Sequence, residues 1–109
     1  MSRLQLHRLG FAPPRLQVPV PDPSNGTYWI DFGLDDHDAW AEVDGETKYR
    51  DEALRSGRSL EDVLLAEKRR EDWIRGTTGR RFVRWGSRDA ASPSALAHRL
   101  ASFGIHPPH

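Results

Sequence analysis

Two stretches, residues 27–34 (TYWIDFGL) and 39–44 (AWAEVD), constrain this chain more than anything else in it. Both are rich in aromatic and aliphatic residues, and only Asp35-Asp36-His37-Asp38 separates them. So short and acidic a connection predicts an antiparallel hairpin. Side chains alternate across a strand, so Ile30, Phe32, Leu34, Ala39, Ala41 and Val43 share one face. All six are apolar, which marks a core face. The opposite face then carries Trp29, Asp31, Trp40, Glu42 and Asp44. Like charges facing one another destabilise a sheet, so three convergent carboxylates need compensation. A hard divalent cation with oxygen ligands supplies it. A solvent-facing acidic surface is the plainer alternative, and two tryptophans on the same face argue against simple exposure.

The flanking segments build outward from that hairpin. Leu4, Leu6 and Leu9 have loosely helical spacing, and Gly10 is a suitable stop. Pro13-Pro14 forces extended backbone. Leu16, Val18 and Val20 alternate with Gln17 and Pro19, which predicts a strand placed at a sheet edge by its proline. Pro21 to Gly26 is turn material. Gly45 to Gly57 is polar and reads as a loop. Ser59, with Asp62 three residues on, caps a helix running to about Gly76. Arg81 to Trp85 is a short strand. Ser92-Pro93 opens a last helix with Leu96, Leu100 and Phe103 on one stripe, closed by Gly104. The resulting order, α-β-β-β-α-β-α, implies an α/β (α+β) domain around a small mixed four-stranded sheet.

At 109 residues the chain is expected to be one domain, 1–109, able to bury about two thirds of its unfolded surface. The absence of cysteine removes disulfides and thiolate metal sites and suits a reducing cytoplasm. No apolar run follows a basic start or reaches membrane-spanning length, so no membrane association is expected. Net charge is zero, which alone argues against a generic nucleic-acid binder. The distribution differs: residues 1–54 hold 5 Lys/Arg and 10 Asp/Glu, residues 55–109 hold 11 and 6. Such asymmetry fits an acidic site beside a basic surface, or two oppositely charged solvated faces.

On the helix after Ser59 the apolar stripe is Leu60, Val63, Leu64 and Ile74, and Glu67 falls on it. A carboxylate on a core-facing stripe is costly unless paired or ligated. Glu67 either reaches the acidic strand face or pairs with Arg70. Arg69, Arg70, Arg75, Arg80, Arg81 and Arg84 follow in close succession and suit bidentate phosphate contacts, with solvation of a helix and a strand as the competing account.

Taken together, WIDFGL, AEVDGETKY and EKRREDWIRGTTGRRFVRW resemble the very-short-patch-repair-like endonucleases of the PD-(D/E)XK nuclease superfamily. That pattern runs as a strand "vDF", then "EvDG", a helix with a basic "D/E-x-R-R" segment, and "G-w-r-V-l-R-f". Related domains close many actinobacterial proteins of the abortive-infection type IV antitoxin-like kind. The match covers about residues 14–103. Its most specific piece is Asp31-Phe32 with Glu42-Val43-Asp44-Gly45, backed by Glu67-Lys68-Arg69-Arg70.

The resemblance implies a restriction-endonuclease-like core and hydrolysis of DNA phosphodiesters by a Mg²⁺- or Mn²⁺-dependent endonuclease or nickase, in repair or phage defence. Asp31 and Glu42 would ligate the cation with the main-chain carbonyl of Val43, and the cation would activate water. Catalytic roles extend to Asp44, Lys48, Glu67 and Lys68, and DNA contacts to Arg69, Arg70, Arg80, Arg81 and Arg84. A homodimer, or a protein partner in a defence system, is a further expectation. Three positions depart from the pattern. Asp44 stands at the lysine position, with Lys48 and Lys68 the candidate substitutes. No histidine follows "DG". The chain opens within the first helix and offers Gln5 where that helix contributes a glutamate. These departures imply the alternative: a catalytically silent nuclease fold that binds DNA or a protein within a toxin–antitoxin or defence system.

Overall fold

The computed structural model describes residues 2–44 and 48–107, with Lys48 described in its main chain only. Helix α1 (Ser2–Arg8) leads into strands β1 (Arg15–Pro21), β2 (Thr27–Leu34) and β3 (Ala39–Asp44). Helices α2 (Lys48–Ser56) and α3 (Leu60–Thr78), strand β4 (Arg81–Gly86) and helix α4 (Pro93–Ala101) complete the chain. The sheet order is β1-β2-β3-β4, antiparallel except for the parallel β3–β4 pair, so the architecture is α+β with a mixed four-stranded sheet flanked by helices. Among the described residues no helix is long and apolar enough to cross a membrane.

Local chemistry explains the boundaries. In α1, Gly10 N–H donates to the His7 carbonyl at 3.0 Å and Phe11 N–H to the Leu6 carbonyl at 3.1 Å, with Gly10 at φ 84°. This paired 5→2 and 6→1 closure needs a residue that tolerates positive φ. The same pair of bonds ends α4 at Gly104 and Ile105. Ser59 caps α3 by accepting from Asp62 N–H at 3.1 Å, and Ser92 caps α4 from Ala95 N–H. Ser59→Ala is expected to cost about 1 kcal/mol, read as a lower denaturation midpoint at unchanged slope.

Two layers of core pack on the sheet. On one face α1 and α4 bring Leu6, Leu96 and Leu100 against Phe32, Leu34, Ala39, Ala41, Val83 and Trp85. On the other, Ile74 of α3 packs with Val18, Val20, Ile30 and Trp40. Trp85 is stacked on Phe32 with ring centroids 6.0 Å apart, and its indole N–H donates to Ser2 Oγ at 2.9 Å. On the α3 side, Trp73 N–H donates to the Pro21 carbonyl at 2.8 Å and ties the helix to β1.

Three local readings of the sequence need correction. Residues 48–56, within the stretch read as a loop, form α2; among its described side chains only Ala53 is buried, so no apolar stripe announces the helix. Helix α3 passes Gly76 and stops at Thr78, where Gly79 takes φ 70°. Ile30 packs in the layer opposite Phe32. The β1–β2 ladder pairs Leu16 with Phe32 and Val18 with Ile30 but skips Gln17 and Asp31, and Gln17 has φ 49°, a kink that re-aims the strand. Trp40 lies, as the alternation placed it, on the face of Glu42, and it is buried there because Gly33 opposite it leaves room for the indole: a Cβ on Gly33 would lie 3.1 Å from the ring.

Both sheet borders are protected. β1 carries Pro19 and the Gln17 kink, while the Arg84 carbonyl of β4 accepts from Arg99 Nε at 3.0 Å.

Candidate functional site

The β2–β3 pairing stops at Phe32↔Ala41, and beyond that point the strands separate. Asp31 fills the gap with its side chain, Oδ2 accepting from Val43 N–H at 3.0 Å. Glu42, on the neighbouring position of β3, is only 2% exposed and faces α3 rather than solvent. In register beside it on β4 stands Arg84.

Arginine, rather than the main chain or solvent, surrounds that carboxylate. Arg70 Nη1 donates to Glu42 Oε1 at 2.8 Å and Nη2 to Oε2 at 2.5 Å, a two-point grip from α3. The same guanidinium reaches Glu67 Oε1 at 2.9 Å and the Trp29 carbonyl at 2.6 Å. Arg84 donates to Glu67 at 2.6 Å, Glu71 at 2.9 Å and Asp44 at 3.1 Å, and lies 3.5 Å from Glu42 Oε1. Tyr49 of α2 closes the group, its hydroxyl 3.3 Å from Asp44 and 3.2 Å from Arg84.

Four carboxylates thus hold two guanidinium groups, all at most about a quarter exposed. Burial alone would lower the arginine pKa values; the bonds from Glu42 and Glu67 to Arg70, and from Glu67 and Glu71 to Arg84, outweigh it and raise both. Burial raises the Glu71 carboxyl, and its bonds from Arg84 and Arg75 reverse this to a net lowering. The Tyr49 hydroxyl is pushed up to about 12, first by burial and then by the charge balance of Arg84, Asp44 and Glu67 around it. Arg70, Arg84 and Glu71 therefore keep their charges, and Tyr49 its proton, across the neutral range.

The residues implied by the resemblance are therefore brought together in part. Glu42, Asp44 and Glu67 gather around Arg70 and Arg84, while Asp31 is held at the Val43 N–H. Lys68 is exposed and lines a shallow cleft with Glu67, Glu71 and Arg84. The Lys48 side chain lies outside the described residues. Of the arginines assigned to DNA, Arg69 is exposed and the other four have internal partners. Arg81 donates to the Phe103 carbonyl at 2.6 Å and the His37 carbonyl at 3.1 Å. Arg80 and Arg15 share Asp35, at 2.6 and 2.7 Å, and both sit over the Trp40 ring. The bonds from Arg15, then Arg80, hold the Asp35 carboxyl down at about 2.

A resident Mg²⁺ or Mn²⁺ does not fit this arrangement. Both Glu42 oxygens face guanidinium N–H groups, and one Asp31 oxygen is taken by the Val43 N–H. Among the described residues no group of three or more His, Cys, Asp or Glu is set to hold a metal ion. Sequence reasoning weighed the Glu67–Arg70 pair and missed the inward roles of Arg84, Glu71 and Tyr49. The 67, 70, 71 spacing places these side chains on one helix face and was the available signal.

Compared with family models, curated proteins and solved structures, the chain matches none.

Proposed function

We propose that this chain is a nuclease-type domain that binds nucleic acid without cutting it, two arginines standing where the PD-(D/E)XK resemblance implies a divalent cation. The two-point hold of Arg70 on buried Glu42 carries this reading. A guanidinium neutralises the carboxylate as a cation would, but it has no open coordination position for water and cannot generate a hydroxide nucleophile. Asp44 at the lysine position is itself engaged by Arg84, so it adds no cation to the site.

A second reading, the Mg²⁺-dependent endonuclease or nickase, is supported by the Asp31–Val43 contact. It keeps Asp31, Glu42 and the Val43 main chain on adjoining positions where the strands part. That reading requires Arg70 to leave Glu42. Supercoiled plasmid incubated with the protein and Mg²⁺ or Mn²⁺ separates the two. The expected result is intact plasmid, with DNA retarded in a gel at low salt and released as salt rises, log–log slope near −0.9 per phosphate contacted. Metal-dependent nicking that disappears in both Asp31→Ala and Glu42→Ala would establish the enzyme instead. An absence of DNA retention at low salt would remove the nucleic-acid reading altogether.

A further inference from the structure

Between α2, α3 and the start of β2 lies a cleft of about 360 Å³, within the size range of small-ligand sites. Tyr28, Tyr49 and Val63 give it aromatic and apolar walls, and Arg55, Arg58 and Arg70 bring cations to it. Two carboxylates also line it, and both are already committed: Glu52 to Arg55 at 3.0 Å, Glu67 to Arg70 and Arg84. Arg58 differs. Its guanidinium donates to the main-chain carbonyl of Asp62 at 3.1 Å, and among the described residues it forms no salt bridge. The unbalanced positive charge of the cleft therefore sits on one exposed arginine beside two phenol rings.

We infer that this cleft binds one unpaired nucleotide of a single strand, its base against Tyr28 and Tyr49 and its phosphate on Arg58. The inference rests on the nucleic-acid reading above and names the form of nucleic acid it takes. Tyrosine rings accept any base by stacking, and arginine grips phosphate with paired N–H donors. Arg70, 5.6 Å from the Tyr28 ring centroid, links the cleft to the Glu42 cluster, so the same side chain neutralises the acidic site and braces the stacking wall.

Fluorescence anisotropy of a fluorescein-labelled dT₁₀ strand, titrated with the intact protein at low salt, tests this. The parent is expected to bind the strand. Tyr28→Ala should weaken binding by roughly 5- to 100-fold, the range of one lost base stack. Arg58→Ala, an exposed change that spares the fold, should weaken it about tenfold and make the salt dependence shallower by about one phosphate. Arg8→Ala, on the far side of the sheet, should leave it unchanged. Unaltered dT₁₀ affinity in the Arg58 variant and in a Tyr28 variant of parental circular dichroism would overturn the cleft assignment. Duplex retention by the parent in that case would leave the broader nucleic-acid reading intact, whereas loss of both would end the two together.

Discussion

Arg70→Ala is expected to lower the stability of this protein by about 3–5 kcal/mol, the usual cost of leaving a buried charge without its partner. Glu42 is almost fully enclosed, and Arg70 supplies both of its short bonds as well as one to Glu67 and one to the Trp29 carbonyl. At about 4 °C or more per kcal/mol for a domain near this size, the melting temperature should fall by more than about 12 °C. Thermal unfolding followed by circular dichroism at neutral pH measures it. The joint change Arg70→Leu with Glu42→Leu should recover much of the loss, because apolar side chains of similar volume replace buried ion pairs at little cost. A drop below about 1 kcal/mol in the single variant would mean that water reaches Glu42 freely, and the ground for a non-cleaving domain would go with it.

Trp85→Ala is expected to be as severe, about 3–5 kcal/mol, through loss of the largest enclosed side chain. Its indole fills the layer between β2 and the α1/α4 pair, stacks on Phe32 and holds Ser2 of α1 by a hydrogen bond. Trp85→Phe separates these contributions: it keeps an aromatic ring, gives up the bond to Ser2, and should cost markedly less than alanine. Equal losses in the two variants would assign the effect to the α1 tether rather than to ring packing. Chemical denaturation with midpoint and slope fitted separately distinguishes a lost contact from a loosened native state.

Much of the architecture was legible because it is written in local chemistry. The hairpin announced itself through alternation and a four-residue acidic turn. Ser59, Ser92-Pro93, Gly10 and Gly104 marked helix ends by capping, and Pro19 marked an edge strand. What stayed hidden depends on tertiary contacts. Helix α2 buries little apart from Ala53, so its residues carry loop-like composition while packing against α3. The alternation put Trp40 on the face of Glu42, but nothing in it says that α3 covers that part of the face. Leu60 and Leu64, placed on the buried stripe of α3, remain well exposed, and Val63 and Ile74 make its core contact.

The acidic residues of β3 were legible in the sequence, and the arginines that meet them were not. Alternation places Asp31, Glu42 and Asp44 on one side and therefore demands a counter-charge, but it does not identify the cation. Arg70 and Arg84 lie 28 and 42 residues from Glu42 and reach it only through the packing of α3 and the parallel pairing of β4. Read along the chain they belong to a run of basic residues, which has the composition of a phosphate-binding surface. In space they are the inner lining of the domain. The 67–70–71 spacing hinted at this, because an i, i+3 acid–arginine pair on a partly apolar stripe is half of an internal network.

The protected borders of the sheet have a bearing on how the molecule behaves in crowded solution. An open-ended stack of sheets grows when one molecule offers its outermost strand to the next. Here the first strand lacks a donor at Pro19 and is bent out of line at Gln17, while on the last strand the Arg84 carbonyl already accepts from Arg99. Neither border offers a straight, vacant ladder to a neighbour. Concentrating the protein is therefore expected not to seed fibrils by edge addition, which thioflavin fluorescence of a concentrated sample would check.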